Sequence, residues 1–228
     1  MTKVDAPSPP GASPASRRET RRQDRRDAIL SVAQAYFLDH GYAGTTMSGI
    51  AAALGGSKGT LWNYFPSKED LFAAVLDRVA KAYRARLSKI LDPQGDLTVT
   101  LTHACRSVVE KVTSPEAIAL NRLIIAEGRR FPEISRIFFD LAPRNTRILM
   151  ADFLGEAMAR GQLRRADTMD AARALMALAM AGAHQQLLMG QIDRATTAMI
   201  HADADLAVTL FLRAYAPVET DNPAGQNA

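Results

Sequence analysis

The sequence predicts an all-α fold, and three features of its patterning support this. Apolar residues recur three and four positions apart through most of residues 25–215, which is the spacing of one helix face. No segment shows the sustained alternation of apolar and polar residues that indicates a half-buried strand. Glycine, proline and side chains suited to helix caps divide the chain into segments of helical length.

The composition is that of an ordinary globular chain. Of 228 residues, 47% are hydrophobic and 23% are charged, and the net charge is +4. The single cysteine, Cys105, excludes a disulfide within the chain and fits a reducing cytoplasm. The longest apolar run, residues 174–183, is too short to span a membrane. We therefore expect a cytoplasmic protein, whose affinity for nucleic acid depends on where its basic residues lie.

The first segment, residues 1–24, is predicted to be a disordered basic arm. It begins with prolines among small residues, and six arginines lie between positions 17 and 26. An arm of this kind lies on DNA phosphates or enters the minor groove. The alternative is a solubilising tail whose arginines touch nothing specific, and the sequence leaves both open.

Residues 25–71 are predicted to form three helices. After a first helix over residues 25–40, Thr46 caps a second, and Gly55-Gly56 ends it because glycine enters the left-handed region without a Cβ clash. Ser57 caps a third helix of about two turns, which Phe65-Pro66 closes. Two short helices joined by a tight turn predict a helix-turn-helix, whose second helix enters a DNA major groove.

The outward face of that short helix has the chemistry of a DNA-reading surface. Leu61 and Phe65 are spaced to face the core, which leaves polar and aromatic side chains outside. Such side chains suit phosphates, thymine methyl groups and base edges. The alternative is that Trp62 and Tyr64 pack on neighbouring helices.

The run FLDHGYAGTTMSGIAAALGGSKGTLWNYFPSKEDL resembles the DNA-binding domain of the TetR family of transcription regulators. The likeness includes the F-x-x-x-G-Y-x-x-T-T-M lead-in, the S-K-G-T-L helix and the Y-F-P-S-K-E-x-L exit. Gly56 and Trp62 depart from the usual small apolar residue and tyrosine. The resemblance implies a homodimer, most often a repressor, on pseudo-palindromic operator DNA. The implied DNA contacts are Thr46, Ser48, Lys58, Gly59, Thr60, Trp62, Asn63, Tyr64 and Lys68.

Residues 72–216 are predicted to form a helical effector-binding and dimerisation domain, with residues 217–228 as a flexible tail. A small, largely hydrophobic effector is expected in a pocket built from residues 101–108, 120–131, 138–153 and 175–180. Glu127 lies on an apolar stripe, so it either pairs with Arg129, Arg130 or Arg144 or orients the effector. The predicted pocket residues are Cys105, Leu123, Glu127, Phe138, Met150, Phe153 and Met176.

The predicted dimer interface uses the last two helices, over residues 170–189 and from Asp203 or Asp205 to Tyr215. Small residues on the first of these let two helices approach closely. Residues 122–143 and the region up to Gly190 are more loosely similar to the AefR-like branch of TetR C-terminal domains. The predicted interface residues are Leu175, Leu178, Gly182, Leu206 and Leu210.

Two other classes of protein are alternatives to this interpretation of the sequence. Residues 55–59 fit the G-x-S-x-G pattern of a hydrolase, but that motif follows a strand, whereas a helix is predicted here. The four histidines lack metal-ligand spacing, so no enzyme activity, metal or cofactor is expected. A ligand-independent, architectural DNA-binding protein is the other alternative, although it would not need a C-terminal domain of this size.

Overall fold

The computed structural model describes residues 14–55 and 58–217, and every regular element in these ranges is helical. The predicted all-α fold is therefore confirmed. A π-helical turn, Asp140–Arg144, joins the seventh and eighth helices. The α-helices are α1 Pro14–Gly44, α2 Met47–Ala53, α3 Lys58–Tyr64, α4 Lys68–Ile90, α5 Leu97–Val112, α6 Pro115–Glu127, α7 Pro132–Phe139, α8 Asn145–Ala159, α9 Thr168–Ala179, α10 Ala183–Leu188 and α11 Thr197–Tyr215.

The two ends of the chain differ from the prediction in one respect each. Residues 14–24, predicted to be disordered, are the start of α1, and the charged residues of this stretch continue the helix. Residues 1–13 of the predicted arm and residues 218–228 of the predicted tail lie outside the described ranges. The last helix begins at Thr197 rather than near residue 203, because the Thr196 hydroxyl caps it by accepting from the Met199 amide.

The predicted helix over residues 170–189 is two helices, α9 and α10. Gly182 breaks it with a non-helical backbone (φ −98°, ψ −111°). The Asp203 carboxylate of α11 then accepts a hydrogen bond from the Ala183 amide, 2.7 Å away, and so caps α10. A side chain at residue 182 would collide with this carboxylate, so the break and the contact depend on glycine.

The described residues form two hydrophobic cores. The first holds α1 to α3 and the first half of α4, together with Leu123 of α6 and Ile134 of α7. The second holds α5, α8, α9 and α11, with Leu87 from the end of α4. Helix α4 runs without a break through both, over about 35 Å. The domain boundary at residue 71 remains a prediction, and two later helices, α6 and α7, pack into the core formed by α1 to α3.

An aromatic cluster fixes α1 onto the start of α4. The Phe37 and Tyr42 rings each meet the Phe72 ring edge-on, with centroids 5.1 and 5.4 Å apart, and all three residues are buried. Such pairs add roughly 0.5–1.5 kcal/mol to what burial alone contributes. No helix of the described residues is long and apolar enough to cross a membrane.

Candidate functional site

Local contacts hold α2 and α3 in helix-turn-helix geometry. The Thr46 hydroxyl accepts from the Gly49 amide, 3.0 Å away, and caps α2 as predicted. A Cβ at Gly49 would collide with the Tyr36 hydroxyl, so glycine allows α2 to approach α1 closely. Gly55 ends α2 in the left-handed region (φ 62°). The predicted cap at Ser57 lies outside the described residues.

Helix α3 has one buried face and one exposed face. Leu61 is 2% exposed and Phe65, which follows the helix, is 3% exposed, so both belong to the first core. Gly59, Trp62 and Asn63 are exposed, and Trp62 keeps 40% of its surface accessible. A tryptophan held at the surface by a helix anchored on its opposite face is placed to contact a partner.

The other predicted DNA contacts differ in their surroundings. Thr46 and Ser48 are exposed at the start of α2. Thr60 is half-buried. Tyr64 is also half-buried and packs against the first core, which fits the alternative that this residue packs on neighbouring helices. The side chain of Lys58 lies outside what the structure describes.

Lys68, the last predicted contact, is held within the protein. Its ammonium donates to the Tyr42 carbonyl at 2.8 Å and lies 4.1 Å from the centre of the Tyr42 ring. The Tyr42 hydroxyl donates to Glu69, 2.8 Å away. Burial and, to a lesser degree, this hydrogen bond raise the pKa of Tyr42 above its ordinary value. The pKa of Glu69 is lowered, chiefly by a backbone hydrogen bond and then by Tyr42. A phosphate contact from Lys68 remains a prediction.

The arginine-rich start of α1 ends beside the residue that follows α3. Its described arginines before residue 26 are exposed. The Arg26 guanidinium sits 5.3 Å from the centre of the Phe65 ring, directly after α3. The basic part of α1 therefore extends from the same end of the helix-turn-helix as the exit of α3.

A cavity of about 520 Å³ lies where the two cores meet. Its wall is mainly apolar and includes three residues of α1 and six of α4, so it borders the first helix of the N-terminal core as well as the C-terminal helices. The lining residues are Gln34, Phe37, Leu38, Phe72, Val75, Leu76, Val79, Ala80, Tyr83, Val108, Lys111, Val112, Glu116, Ala117, Leu120, Asn121, Phe138, Ala142, Pro143, Thr146, Arg147, Met176, Met180 and His184.

Two of the seven predicted pocket residues, Phe138 and Met176, line this cavity. Cys105, Met150 and Phe153 do not, because their side chains are buried inside the second core. Leu123 packs instead into the first core. Cys105, Met150 and Phe153 lie on buried faces as their spacing predicts, but spacing alone does not say which part of a face borders a cavity.

The hydrogen bonds of Glu127 contradict both interpretations that the sequence allowed, an ion pair with an arginine and a place in the ligand pocket. Its carboxylate accepts hydrogen bonds from the Tyr42 amide at 3.0 Å and the Ala43 amide at 2.6 Å. It therefore does not line the cavity, and no arginine of the described residues lies within ion-pair distance of it. The cost of removing this carboxylate of α6 from water is offset by two backbone donors at the end of α1.

The cavity wall carries polar groups that the sequence interpretation missed. Among the described residues, the buried Tyr83 hydroxyl and His184 Nδ1 have no hydrogen-bond partner. Burial raises the pKa of Tyr83 and lowers the pKa of His184. Both side chains are thus neutral near pH 7, and neither was predicted from the sequence to line a pocket.

Comparison with known proteins decides the family. Residues 29–75 match the family described as bacterial regulatory proteins, tetR family. Residues 99–217, more than half of the chain, match the C-terminal domain of AefR-like transcriptional repressors. The chain belongs to the TetR family. It is a transcription regulator with a helix-turn-helix DNA-binding domain, as the sequence resemblance implied.

Individual TetR-family proteins are similar over most of the chain. The solved structure of the flavonoid-responsive regulator FrrA is 30% identical, with 86% of this chain and 98% of that chain covered and a TM-score of 0.74. The solved structure of a TetR-family regulator from Mesorhizobium loti is 25% identical, with 86% of this chain and 98% of that chain covered and a TM-score of 0.77. The regulator UidR of Escherichia coli strain K12 is 26% identical over 63% of this chain and 69% of its own length.

The predicted dimer residues of this TetR-family chain fall into three groups by their exposure. Leu206 and Leu210 of α11 are 59% and 41% exposed, as an interface requires of the free subunit. Leu175 is fully buried within its own subunit, so its place in the predicted interface is corrected. Leu178 and Gly182 are half-buried.

The hydrolase pattern has no structural support in the described residues. The segment that leads into Gly55 is helix α2, whereas a nucleophile elbow follows a strand. No group of three or more metal-binding side chains is found in the described part of the chain.

Proposed function

We propose that this protein is a homodimeric repressor that binds a pseudo-palindromic operator through α3 and is released by a small, largely apolar ligand. The observation that carries the ligand response is the cavity, because its wall joins α1 of the DNA-binding domain to the C-terminal helices. A ligand there contacts both parts of the protein at once.

The surface of α3 supports sequence-specific DNA binding. One short helix reads too few base pairs for specificity, so two copies must be held at a fixed spacing. The exposed Leu206 and Leu210 on α11 offer an apolar face for a twofold dimer. In this arrangement Trp62 and Asn63 approach base edges, while Thr46 and Ser48 lie near phosphates.

The cavity supports a ligand of defined chemistry. Its volume of about 520 Å³ falls in the range of small-molecule sites, about 300–1,000 Å³. Aliphatic and aromatic side chains dominate the wall, which also includes the charged Lys111, Glu116 and Arg147, so a largely apolar ligand with polar groups fits it. FrrA is described as flavonoid-responsive, and SmeT, 25% identical, has a structure in complex with triclosan. Aromatic molecules with hydroxyl groups therefore fit both the wall and these relatives.

An architectural, ligand-independent DNA-binding protein is the competing interpretation. It gives no role to a cavity of this size bordered by the reading domain. The two interpretations differ in whether any cavity ligand changes the affinity for DNA.

Calorimetry with a flavonoid and with triclosan as probes tests the ligand response. We expect a probe that binds the cavity to lose affinity by about 5–150-fold when operator DNA is present, and operator affinity to fall by the same factor. A probe that binds equally well with and without operator is not an effector. If every cavity ligand in a wider screen behaved in this way, the architectural interpretation would replace ours.

A further inference from the structure

We propose that Glu127 is a positioning residue through which the C-terminal helices set the orientation of the DNA-reading helices. The inference rests on the proposed function, because it concerns how the cavity and the DNA surface communicate.

The first observation is the contact between the end of α6 and the junction of α1 and α2. Both carboxylate oxygens of Glu127 accept backbone hydrogen bonds, from the Tyr42 and Ala43 amides. Gly41, just before, has a positive φ of 71°, and a Cβ there would collide with the Glu127 carboxylate. The backbone is therefore shaped to receive this side chain, and a carboxylate with two amide donors is a strong, directional contact.

The second observation is that Tyr42 joins this contact to the exit of the reading helix. Its amide is held by Glu127, while its carbonyl accepts from Lys68 and its hydroxyl donates to Glu69. Lys68 and Glu69 form the first turn of α4, four residues after α3 ends. A displacement of Glu127 is thus passed through one residue to the helix that directly follows the DNA-reading helix.

The third observation is that α6 also forms a wall of the cavity. Ala117, Leu120 and Asn121 line it, and Leu120 precedes Glu127 by about 10 Å along the helix. Helix α6 is continuous from Pro115 to Glu127, so we expect a ligand that shifts its middle to shift the carboxylate at its end as well. Glu127 is the group that converts such a shift into a change at the reading head.

Charge and position predict opposite effects when Glu127 is neutralised. Removing a negative charge strengthens binding to any DNA if electrostatics alone act, because phosphate attraction increases. Loss of the contact between Glu127 and the end of α1 misplaces α3 in both subunits and weakens binding to the operator only. Glu133 is the matched charge control, because it is close enough to influence the pKa of Tyr42, whereas both amides donate to Glu127.

The test compares Glu127→Gln, Glu127→Asp and Glu133→Gln in the full chain, each checked for thermal unfolding. Dissociation constants are measured for the operator and for random DNA of equal length. We expect both Glu127 variants to lose about tenfold in operator affinity, with random-DNA affinity unchanged or higher. Glu127→Asp keeps the charge but shortens the reach, so its loss cannot be a charge effect. Glu133→Gln should keep the ratio of operator to random affinity.

The outcomes separate the two proposals. If the wild type selects no operator, the proposed function fails. If the wild type binds its operator and both Glu127 variants keep the wild-type ratio, only the role of Glu127 is rejected. A loss of operator and random-DNA binding together with a lowered unfolding temperature would also reject it, since the residue would then serve stability alone.

A cavity-filling variant tests whether occupancy acts through this contact, without need of a known effector. Ala117→Phe places a ring in the cavity and is expected to lower operator affinity about fivefold in the wild-type background. In the Glu127→Gln background the same change should have little further effect, because its route is already broken. An equal loss in both backgrounds would show that cavity occupancy does not act through Glu127.

Discussion

The Lys68 ammonium donates to the Tyr42 carbonyl at 2.8 Å and lies 4.1 Å from the centre of the Tyr42 ring. Lys68 begins α4 directly after the reading helix, and Tyr42 belongs to the junction between α1 and α2. The two ends of the helix-turn-helix are therefore tied by one side chain, which has donors left for a DNA phosphate.

Replacing Lys68 by alanine should reveal both roles in separate measurements. The free energy of unfolding should fall by about 1 kcal/mol, because the Tyr42 carbonyl loses a charged donor. If Lys68 also contacts a phosphate, the slope of log affinity against log salt should become shallower by about 1, equally for all DNA sequences. An unchanged slope with lowered stability would limit Lys68 to its structural role.

Neighbouring residues of α3 should respond oppositely to alanine. Trp62→Ala and Asn63→Ala should change the preferred DNA sequence with little loss of stability, because both side chains are exposed. Leu61→Ala should destabilise the protein by about 2–5 kcal/mol, since the side chain is 2% exposed in the first core. Selection of binding sites and chemical denaturation measure the two effects. Unaltered sequence preference in both surface variants would contradict the assigned reading face.

The arginines at the start of α1 should add affinity without sequence preference. Replacing Arg18, Arg21, Arg22 and Arg25 by glutamine leaves Arg26 on the Phe65 ring and should spare the fold. Affinity should fall for all DNA sequences, and the loss should be larger at low salt, where phosphate contacts contribute most. Equal affinity of variant and wild type at low salt would favour the alternative of a solubilising segment.

Acid should destabilise the protein partly through His184. Burial lowers the pKa of His184 below its ordinary 6.5 in the folded state, so the unfolded chain takes up a proton first as the pH falls. Its contribution to stability is therefore present above pH 6.5 and lost on acidification. Between pH 7 and pH 5, His184→Gln should lose less thermal stability than the wild type. Parallel losses in the two proteins would contradict this.

Contacts within a few residues were predictable from sequence, and contacts between distant segments were not. The cap at Thr46 lies three residues from its partner, Gly49, and its prediction is confirmed. Glu127 was recognised as unusual, but its partners lie 84 and 85 residues away, and helical periodicity carries no information about them. The place of Tyr83 in the cavity wall was not predicted, because it too depends on contacts between distant segments.

Interfaces were predictable only as apolar faces. Leu175 and Leu206 both lie on apolar stripes, yet the first is fully buried in its own subunit and the second is 59% exposed. An apolar stripe predicts that a helix face is covered. Whether another helix of the same subunit or a second subunit covers it depends on how the other helices pack. The helical start of α1 was not predicted because a run of charged residues carries no apolar periodicity. A helix that is already anchored by its later residues can continue into such a run without an apolar face.

Selection of binding sites from random DNA with the purified full-length protein tests the central claim most directly. The account predicts an inverted repeat whose half-sites are separated by about one helical turn, 10–10.5 base pairs, or a multiple of it. Each half-site should be protected by one subunit, and Trp62→Ala should change the selected half-site. Enrichment of sequences without any inverted repeat, or no enrichment at all, would contradict the account.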